Sequence, residues 1–425
     1  TILAGGFSHQ AMAQQMPLEW AYNLPGAGGD SGKDLVTDAN GNLILLSEFA
    51  ATVDFQTGVG TTNLSSAGNV DGGIAKYDPN GNLLWAVKVG GAGNDIATAI
   101  DVDNSGNIYV SGYFNAMADF DPGLGTANLT PIGGIDGFIL KLDQNGNFVW
   151  VKQIGGAGSD DAFGLDVDAF NDIVISGFFA GTVDFDPNVG IANSTSVGGS
   201  DAYALKLNSA GNFVWRYIVG STTDDDARAI TSDNSGNVFL TGYFSGMADF
   251  DFSGATQNLT GIGEELFVLK ISSTGNYVNA ISIGSTGADC GRAIHVDSNN
   301  DVIVSGYFTG TVDFDASIGT NSKTSGGLKD IFVLKLNNSL GHIWASHASG
   351  SSDDEAWSVE TDEVNNVFVA GFFRTTVDFD PGIGTQNVTV SCGCGLADQF
   401  YWKLNSDGNY LSADFAGAGG NDHSY

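Results

Sequence analysis

The sequence is poor in cysteine, proline and basic residues, and each shortage narrows the class of protein. Three cysteines give no disulfide framework; Cys392 and Cys394 are too close for a relaxed bridge and form either part of a metal site or an ordinary loop. Proline is scarce and the apolar content of 42% is ordinary for a globular protein, so disorder is not expected. Fifteen basic residues against 49 acidic ones give a net charge of −34, which argues against nucleic-acid binding and favours cations or basic partners.

Long apolar runs, helical periodicity and the common catalytic motifs are also missing. No segment is long and apolar enough to span a membrane, and G-x-S-x-G, H-E-x-x-H and P-loop patterns do not occur. Ala11-Met12-Ala13 resembles the end of a secretory signal cleaved before Gln14, so residues 1–15 are interpreted as a signal-peptide remnant, with a disordered leader as the alternative. The remnant predicts a secreted protein, extracellular or on the outer cell surface.

One unit of about 65 residues repeats along the chain. A tryptophan anchors most units, and Asn279 and Ser412 stand at the equivalent positions of two others; the tryptophans are Trp20, Trp85, Trp150, Trp215 and Trp344. This spacing predicts six complete units, residues 20–84, 85–149, 150–214, 215–278, 279–343 and 344–411, and the start of a truncated further unit at 412–425.

Two columns of the repeat hold charged residues that recur in every unit. The first, which we call the opening Asp, comprises Asp30, Asp95, Asp160, Asp225, Asp289 and Asp354. The second, the strand-c Lys, comprises Lys76, Lys141, Lys206, Lys270, Lys335 and Lys403. Retention in every copy indicates a structural task performed once per unit, and because lysine is rarely buried without a partner, we expect these two columns to form an ion pair or backbone hydrogen bonds between adjacent strands.

Each unit is predicted to form four short strands, a to d. In the second unit the strand signatures are 97–103, 107–114, 137–143 and 147–155. Tight turns join strand a to b and strand c to d; an Asp opens them by accepting backbone N–H bonds, and a Gly supplies positive φ. Repeated four-stranded antiparallel units predict an all-β fold, a β-propeller over residues 16–425.

The segments GNIYVSGYF, DGFILKLD and GNFVW, followed by GGAGND, recur in order along the chain. They resemble the bacterial seven-bladed β-propeller repeat family of SBBP type, over nearly the whole chain after the leader. The resemblance implies a secreted or surface protein of the kind found in Bacteroidota, and it implies fold and location far better than activity. The regular DFDPG insertion departs from the commonest form of the repeat.

The phase of the repeat at the two ends predicts a seventh blade in the complete protein. The chain starts on a lone strand d, Leu18 to Leu24, and ends just before a further strand a. Strands a, b and c from beyond Tyr425 would pair with that strand d and remove open sheet edges. We therefore expect seven blades, of which six are complete in this chain.

The longer connections, b–c and d–a, are expected on one face of the fold, where binding usually occurs. The b–c connection carries two carboxylates on the same side of an extended segment, a partial oxygen ligand set for Ca²⁺, with capping of turns as the alternative. No cofactor is required by the sequence. The candidate metal ligands are Asp119, Asp121, Asp184, Asp186, Asp249, Asp251, Asp313, Asp315, Asp378 and Asp380; Gln56 breaks the pattern beside Asp54.

A specific ligand site needs residues that differ between units, and two columns of strand a vary. Strand a is the innermost strand of a blade, so these side chains are expected at or near the central channel. Arg228 and Arg292 hold equivalent places in neighbouring blades. The candidate pocket is Asp166, Arg228, Arg292, His295, Trp357 and Glu360, with an ordinary channel lining of paired charges as the alternative.

Two classes of function follow from this pattern. A non-enzymatic module would bind an extracellular glycan, peptide or protein through its acidic, long-loop face. An extracellular propeller enzyme would cleave polysaccharide as a glycoside hydrolase or lyase, but nothing marks a nucleophile, and Arg216 and Arg374 lie at different depths in their units, which argues against an arginine triad. We therefore assign no catalytic residue and favour binding, with no nucleic acid as partner.

Overall fold

The repeat folds into six four-stranded antiparallel sheets, each made of strands a, b and c of one repeat unit and the strand d that leads into the next unit. The computed structural model describes Leu24, Gly26 and residues 28–391 and 396–417, and these residues form no helix, hence none that could cross a membrane. Within every sheet the strands follow the chain order a, b, c, d; the first sheet is extended by a short hairpin of the second unit. The prediction of an all-β fold of four-stranded propeller blades is confirmed.

The strands are numbered in chain order. Strands a are β1 (Asp30–Thr37), β7 (Asp95–Val102), β13 (Gly164–Val167), β17 (Asp226–Ser232), β21 (Cys290–Val296) and β27 (Glu355–Thr361). Strands b are β2 (Leu43–Phe49), β8 (Ile108–Phe114), β14 (Ile173–Asp184), β18 (Val238–Asp249), β22 (Val302–Phe308) and β28 (Val367–Phe373). Strands c are β5 (Asp71–Tyr77), β11 (Asp136–Leu142), β15 (Asn193–Leu207), β19 (Asn258–Ile271), β25 (Asp330–Leu336) and β31 (Asp398–Leu404). Strands d are β6 (Leu83–Gly91), β12 (Phe148–Ile154), β16 (Phe213–Val219), β20 (Tyr277–Ile283), β26 (His342–Ala348) and β32 (Tyr410–Ala416).

Short hairpins occupy the b–c connections. They are β3 (Thr52–Asp54) with β4 (Asn63–Ser65), β9 (Ala118–Asp119) with β10 (Asn128–Leu129), β23 (Thr311–Asp313) with β24 (Ser322–Thr324), and β29 (Thr376–Asp378) with β30 (Asn387–Thr389). In blades 3 and 4 the long strands b and c run on into this hairpin. The chain also divides into two compact parts, which we call the first and second compact units to distinguish them from the repeat units. The first compact unit comprises residues 1–195 with 205–216 and includes blades 1 and 2. The second comprises residues 196–204 with 217–425 and includes blades 4 to 6.

Neighbouring blades within each compact unit pack face to face through apolar side chains. In the first compact unit, Ile44 and Ile74 of blade 1 share a buried cluster with Val110 and Leu140 of blade 2. In the second compact unit, Val268 of blade 4 belongs to a buried cluster shared with blade 5. Blades 5 and 6 share another buried cluster. Strands b and c therefore bury both of their faces, which is why they are apolar on both sides.

The glycine of the c–d turn is required by both conformation and packing. Gly146 has φ of 80°, a value that side chains with a Cβ rarely adopt. A methyl group built on Gly146 would also lie 3.1 Å from the ring of Trp85, the anchor of the preceding blade. The same approach joins Trp150 to Gly211. The tryptophan of the repeat is thus a contact between blades.

Several sequence predictions fall on residues outside those that the structure describes. These are the leader at 1–15, most of the lone strand d at Leu18 to Leu24, the pair Cys392 and Cys394, and the last part of the truncated unit at 412–425. The seventh blade and the unit boundaries stay predictions.

Candidate functional site

The b–c connections and the d–a loops meet at one end of each blade, as predicted. In the first compact unit, Gly90 and Gly91 lead from strand d of blade 1 to strand a of blade 2. They pair with Asp119 and Ala118 of the b–c hairpin of blade 2. Equivalent bridges recur in other blades, between Gly156 and Val183, Gly220 and Asp249, and Ser349 and Asp378. Strand a begins, strand b ends and strand c begins at this end, which we call the loop face.

The D-F-D motif of the b–c connection anchors and closes the loop. Phe120 is completely buried, with ring centroids 5.5 Å from Phe114 and 4.6 Å from Phe138. Asp119 Oδ1 accepts the backbone N–H groups of Asp121 at 3.0 Å and Ala127 at 2.8 Å. Equivalent bonds are made by Asp184, Asp249, Asp313 and Asp378, while Asp121, Asp186, Asp251, Asp315 and Asp380 cap the next turn. The geometry matches turn capping, and the described residues contain no group of three or more metal-ligating side chains.

Replacing Asp119 with alanine is expected to lower the free energy of unfolding by about 1–3 kcal/mol, because the N–H groups of Asp121 and Ala127 lose their acceptor. Asp119→Asn, which keeps one carbonyl oxygen, should lose less. Urea unfolding with Ca²⁺ and with EDTA measures both effects. A wild-type protein stabilised by Ca²⁺, with that gain abolished in Asp119→Asn, would contradict the capping role.

The strand-c Lys pairs with a carboxylate other than the opening Asp, so that predicted pairing is wrong. Lys76 Nζ lies 2.9 Å from Asp38 Oδ2, which belongs to the a–b turn of the same blade. Lysines 141, 206, 335 and 403 bind Asp103, Asp168, Asp297 and Asp362 in the same way, at 3.9, 2.6, 2.8 and 3.7 Å. In blade 4 Lys270 Nζ binds Asn338, whose amide reaches Asp233. The reason is position along the strand: the lysine lies near the end of strand c, beside the a–b turn, whereas the opening Asp lies at the loop face.

This lysine also joins neighbouring blades. Lys141 Nζ donates to the carbonyl of Ser209, in the c–d turn of the next blade, at 2.9 Å. The turn aspartate completes the network: Asp38 Oδ1 accepts the N–H groups of Asn40 and Asn42. Burial alone would raise the pKa of Asp38, but the hydrogen bonds from Lys76 and Asn42 outweigh it and lower the pKa to about 2. The a–b turn is therefore held by a charged lysine–carboxylate pair.

The opening Asp joins the d–a loop to the end of strand b. Asp160 Oδ2 accepts the N–H of Gly156 at 2.7 Å, and Oδ1 accepts the N–H of Ala180 at 2.9 Å. Asp289 binds the N–H groups of Ser285 and Thr309 in the same way. The structural role of this column is thus the closure of the loop face, by backbone hydrogen bonds.

A second column of buried acids lies close to the opening Asp. Comparison of the repeat units with one another did not single it out. Its members lie on strand c of the preceding blade and are Asp71, Asp136, Asp201, Glu265 and Asp330. A methyl group built on Gly155 would lie 2.2 Å from the carboxylate of Asp136, and the next N–H is bound by Asp160. Burial raises the pKa of Asp160 to about 6, and the charge of Asp136 adds to the shift. Each such pair holds two acidic groups in a space with little water.

Strand a carries the same β-bulge in five blades, at the first variable column. The register between strands a and b shifts across Lys33, Thr98, Arg228, Arg292 and Trp357. A bulge leaves one residue out of the ladder and re-aims its side chain. Three of the six predicted pocket residues therefore occupy a repeated, specially oriented position at the loop-face end of strand a.

In the second compact unit, two of these residues, Arg292 and Trp357, converge with Lys329 on the carboxylate of Glu355. Lys329 Nζ lies 2.8 Å from Glu355 Oε1, while Arg292 Nη2 and Trp357 Nε1 donate to Oε2 at 3.4 and 2.9 Å. Burial alone would raise the pKa of Glu355, but hydrogen bonds from Lys329 and Trp357, together with the charge of Arg292, lower it. Glu355 is therefore an anion that orients two cations and an indole ring.

Arg228 extends this group into blade 4. Its Nη2 lies 2.7 Å from Asp226 Oδ2, and the charges of both Arg228 and Arg292 act on the buried Cys290. Burial raises the pKa of Cys290 to about 11, so it is a neutral thiol. We name Asp226, Arg228, Cys290, Arg292, Lys329, Glu355 and Trp357 the strand-a cluster.

Aromatic rings support the cations of the strand-a cluster. Lys329 Nζ lies 3.9 Å from the ring centroid of Tyr307, and Arg292 Cζ lies 5.4 Å from it. The ring of Trp357 meets that of Phe372 edge to face, with centroids 5.2 Å apart. Such contacts favour fixed positions for the positive charges.

Two of the remaining predicted pocket residues, His295 and Glu360, pair with each other. His295 Nδ1 is 3.0 Å from Glu360 Oε2, and its Nε2 is 3.0 Å from Thr361 Oγ1, so these side chains link strands a of blades 5 and 6. Asp166 lies on β13 in the first compact unit. The structure thus brings Arg228, Arg292 and Trp357 into the strand-a cluster and pairs His295 with Glu360, while the pocket as a whole stays a prediction.

Sequence comparison missed Asp226, Glu355 and Lys329, although their columns also vary between units. Asp226, Cys290 and Glu355 share the column directly after the opening Asp, and Lys329 precedes the strand-c acid. Their proximity arises because strand a and strand c both begin at the loop face. A search of every variable column at that end would have found them.

Comparison with known proteins agrees with the repeat. Residues 84–121 match the family model SBBP, described as "Beta-propeller repeat". An uncharacterized WD repeat-containing protein of Acanthamoeba polyphaga mimivirus is 24% identical over 330 residues, 63% of this chain and 23% of its own length. The "Regulatory protein FlaEY" of Caulobacter vibrioides is 22% identical over 427 residues, 90% of this chain and 43% of its own length. The chain thus spans less than half the length of these curated relatives.

Solved structures with similarity to this chain include proteins of Bacteroides. A protein of unknown function from Bacteroides caccae matches 81% of this chain and 90% of its own, with 11% identity and a TM-score of 0.40. The extracellular domain of a hybrid two-component system protein of B. thetaiotaomicron matches 94% of this chain and 78% of its own, with 10% identity and a TM-score of 0.18.

The blades and their repeat define the class of protein as a β-propeller. Within this propeller, residues 84–121 match the SBBP β-propeller repeat.

Proposed function

We propose that this protein is a non-enzymatic, extracellular β-propeller module that binds a glycan, peptide or surface partner through its loop face. The observation that carries the proposal is the repeated bulge of strand a. In the five blades with this bulge it presents Lys33, Thr98, an arginine in both blades 4 and 5, and Trp357. In the second compact unit it presents Arg228, Arg292 and Trp357 together. Variation at a fixed, oriented position on a rigid fold is what a recognition surface requires.

Location outside the cell is part of the proposal. It is supported by the Ala11-Met12-Ala13 segment and by the resemblance of the repeat to secreted and surface proteins. Binding through the strand-a cluster needs no cofactor. Ca²⁺ binding by Asp119 and its equivalents is a separate hypothesis that the EDTA experiment addresses.

Binding is tested by screening the protein on glycan and peptide arrays and then measuring affinity for the retained ligand. Trp357→Ala is expected to weaken binding at least tenfold, since the half-buried indole is part of the strand-a cluster. Thr98→Ala, a change in the same bulge column of blade 2, serves as matched control and should alter affinity less than twofold. The proposal would be contradicted if the protein retained no ligand from either array, or if Trp357→Ala and Thr98→Ala bound the retained ligand equally well.

The alternative is an enzyme that acts on polysaccharide. It draws support from the His295–Glu360 pair, because a histidine held by a carboxylate can transfer protons. A panel of chromogenic glycosides and uronate polysaccharides measures turnover. Activity that disappears in His295→Ala while the fold is retained would favour the enzyme over the binding module.

A further inference from the structure

We propose that the strand-a cluster binds the carboxylate of a uronic acid residue in an acidic glycan. This inference rests on the proposed binding function and adds the chemical class of the ligand. Its observations are the local charge balance, the state of the arginine donors and the rings beside them.

The cluster concentrates positive charge in a strongly acidic protein. Of 15 basic residues, six are the strand-c Lys, which leaves 15 − 6 = 9 for other positions. Three of these nine, Arg228, Arg292 and Lys329, share two carboxylates, Asp226 and Glu355. One carboxylate is missing because blade 5 has the neutral Cys290 in the column where blades 4 and 6 have acids. Glu264 also acts electrostatically on Tyr243 and Tyr307, the rings beside these cations, so three carboxylates accompany the three cations. What the cluster offers an anion from outside is a group of three neighbouring cations in a protein with few of them.

Arg292 has unused capacity for hydrogen bonds. Its link to Glu355 is long, at 3.4 Å, and because its Nε is buried, a ligand from outside would bind through the terminal guanidinium nitrogens. A guanidinium offers five N–H donors in a planar fork that fits a carboxylate with two parallel bonds. The side chain is 24% exposed and that of Lys329 is 29% exposed, so a ligand can reach both. A carboxylate bound here would meet two cations that the protein already holds in place.

The aromatic rings favour a sugar acid over an acidic peptide. Trp357 and Tyr243 are both half-buried. Trp357 and Arg292 bind the same carboxylate, that of Glu355, and Arg228 Cζ lies 6.0 Å from the ring centroid of Tyr243. A uronate carries a carboxylate and a ring whose C–H face packs against aromatic surface, so it uses both features of the site. An acidic side chain of a peptide offers the carboxylate alone. Pockets that combine apolar walls with a few placed polar groups are typical of small-ligand recognition.

The test measures binding of uronate oligosaccharides from pectin, alginate and glycosaminoglycan, together with their carboxyl-reduced forms and a polyglutamate peptide. We expect binding to at least one uronate, at least tenfold weaker binding after carboxyl reduction, and a loss of affinity as salt is raised. Arg292→Gln should weaken binding at least tenfold. Lys33→Gln removes a cation from the same bulge column of blade 1, where Lys33 pairs with Glu48, and should have less than a twofold effect.

Three results would overturn the assignment. Equal binding of the carboxyl-reduced forms would show that the charge is not recognised, and preferential binding of polyglutamate would replace the glycan with an acidic peptide. A neutral glycan or neutral peptide retained on the arrays, with no uronate bound, would refute the ligand class and leave the binding function intact. The absence of any ligand would instead refute the binding function itself.

Discussion

Lys335→Met is expected to lower the free energy of unfolding by about 3–5 kcal/mol. Lys335 Nζ lies 2.8 Å from Asp297 Oδ2 and 3.4 Å from Asp301, and the side chains of Lys335 and Asp297 are 4% and 0% exposed. Removal of the cation leaves a buried carboxylate whose remaining bonds come from the backbone of the a–b turn. A buried charge without its partner is costly because the protein interior solvates it poorly. The midpoint of urea unfolding, compared with the wild-type protein, measures the effect.

Lys403→Met is the matched control for this experiment. It changes the same column in blade 6, where Nζ lies 3.7 Å from Asp362 and the two side chains are 23% and 32% exposed. Water screens such a pair, so its loss should cost about 1 kcal/mol or less. Equal and small losses in the two variants would show that the buried lysine is not a charged partner of the turn. A gain in stability for Lys335→Met would mean that apolar packing between the blades outweighs the ion pair.

The sequence predicts the blade well because period and strand pattern depend on local chemistry. Strand a of the second unit is predicted at 97–103 and found at Asp95–Val102, and strand c is predicted at 137–143 and found at Asp136–Leu142. The strand alternation, the turn Asp and the turn Gly all act within a few residues. The same local reasoning correctly places both long connections at one end of the blade.

Partners across blades are harder to predict, because a repeat places many equivalent residues at the same separation. The pairing of the strand-c Lys with the opening Asp was wrong for this reason: both columns are invariant, but they lie at opposite ends of the blade. The strand-a cluster shows the same limit. Arg228 and Arg292 are recognisable as neighbours, whereas Glu355 and Lys329 become visible only when the bulge and the start of strand c are placed together.

Stability is expected to fall as the pH rises from about 5 to 9, because buried carboxyl pairs lie between the blades. Burial raises the pKa of Asp95, Asp160 and Asp225 to about 6 and that of Asp354 to about 8, and the strand-c acid beside each adds to the shift. A folded-state pKa above the unfolded value of about 3.9 means that the folded protein binds more protons in this range. The resulting stability is fully present below pH 4 and is lost as the pH passes through 6 to 8. Acids such as Asp38, whose pKa is lowered to about 2, lose their stabilisation only below pH 4, so the optimum should lie near pH 4–5.

Asp354→Asn tests this explanation at the pair with the highest pKa. Asp354 Oδ1 accepts the N–H of Arg374 at 2.9 Å, which an amide oxygen can also do, and its buried Oδ2 has no hydrogen-bond partner. Asp330, the other member, binds Gly350 and Ser349 and brings a second negative charge. The neutral asparagine reproduces the protonated acid, so we expect a melting temperature higher by about 2–6 °C at pH 8.5 and little change at pH 5.

Asp143→Asn is the control for the buried acid, because Asp143 caps an exposed turn and its pKa is lowered by hydrogen bonds from Asn147 and Asn145 that outweigh burial. It should give no gain at pH 8.5, since its charge is favourable in the folded state. Melting curves from pH 5 to 9 for the wild-type protein and both variants separate the effect of pair burial from the effect of net charge. If both substitutions raised the melting temperature equally, relief of the overall negative charge would be the cause; if neither did, the buried pairs would not hold a proton in the folded protein. A gain confined to Asp354→Asn at alkaline pH would identify the contact between strand c of one blade and the loop face of the next as the part of the fold that alkaline conditions weaken first.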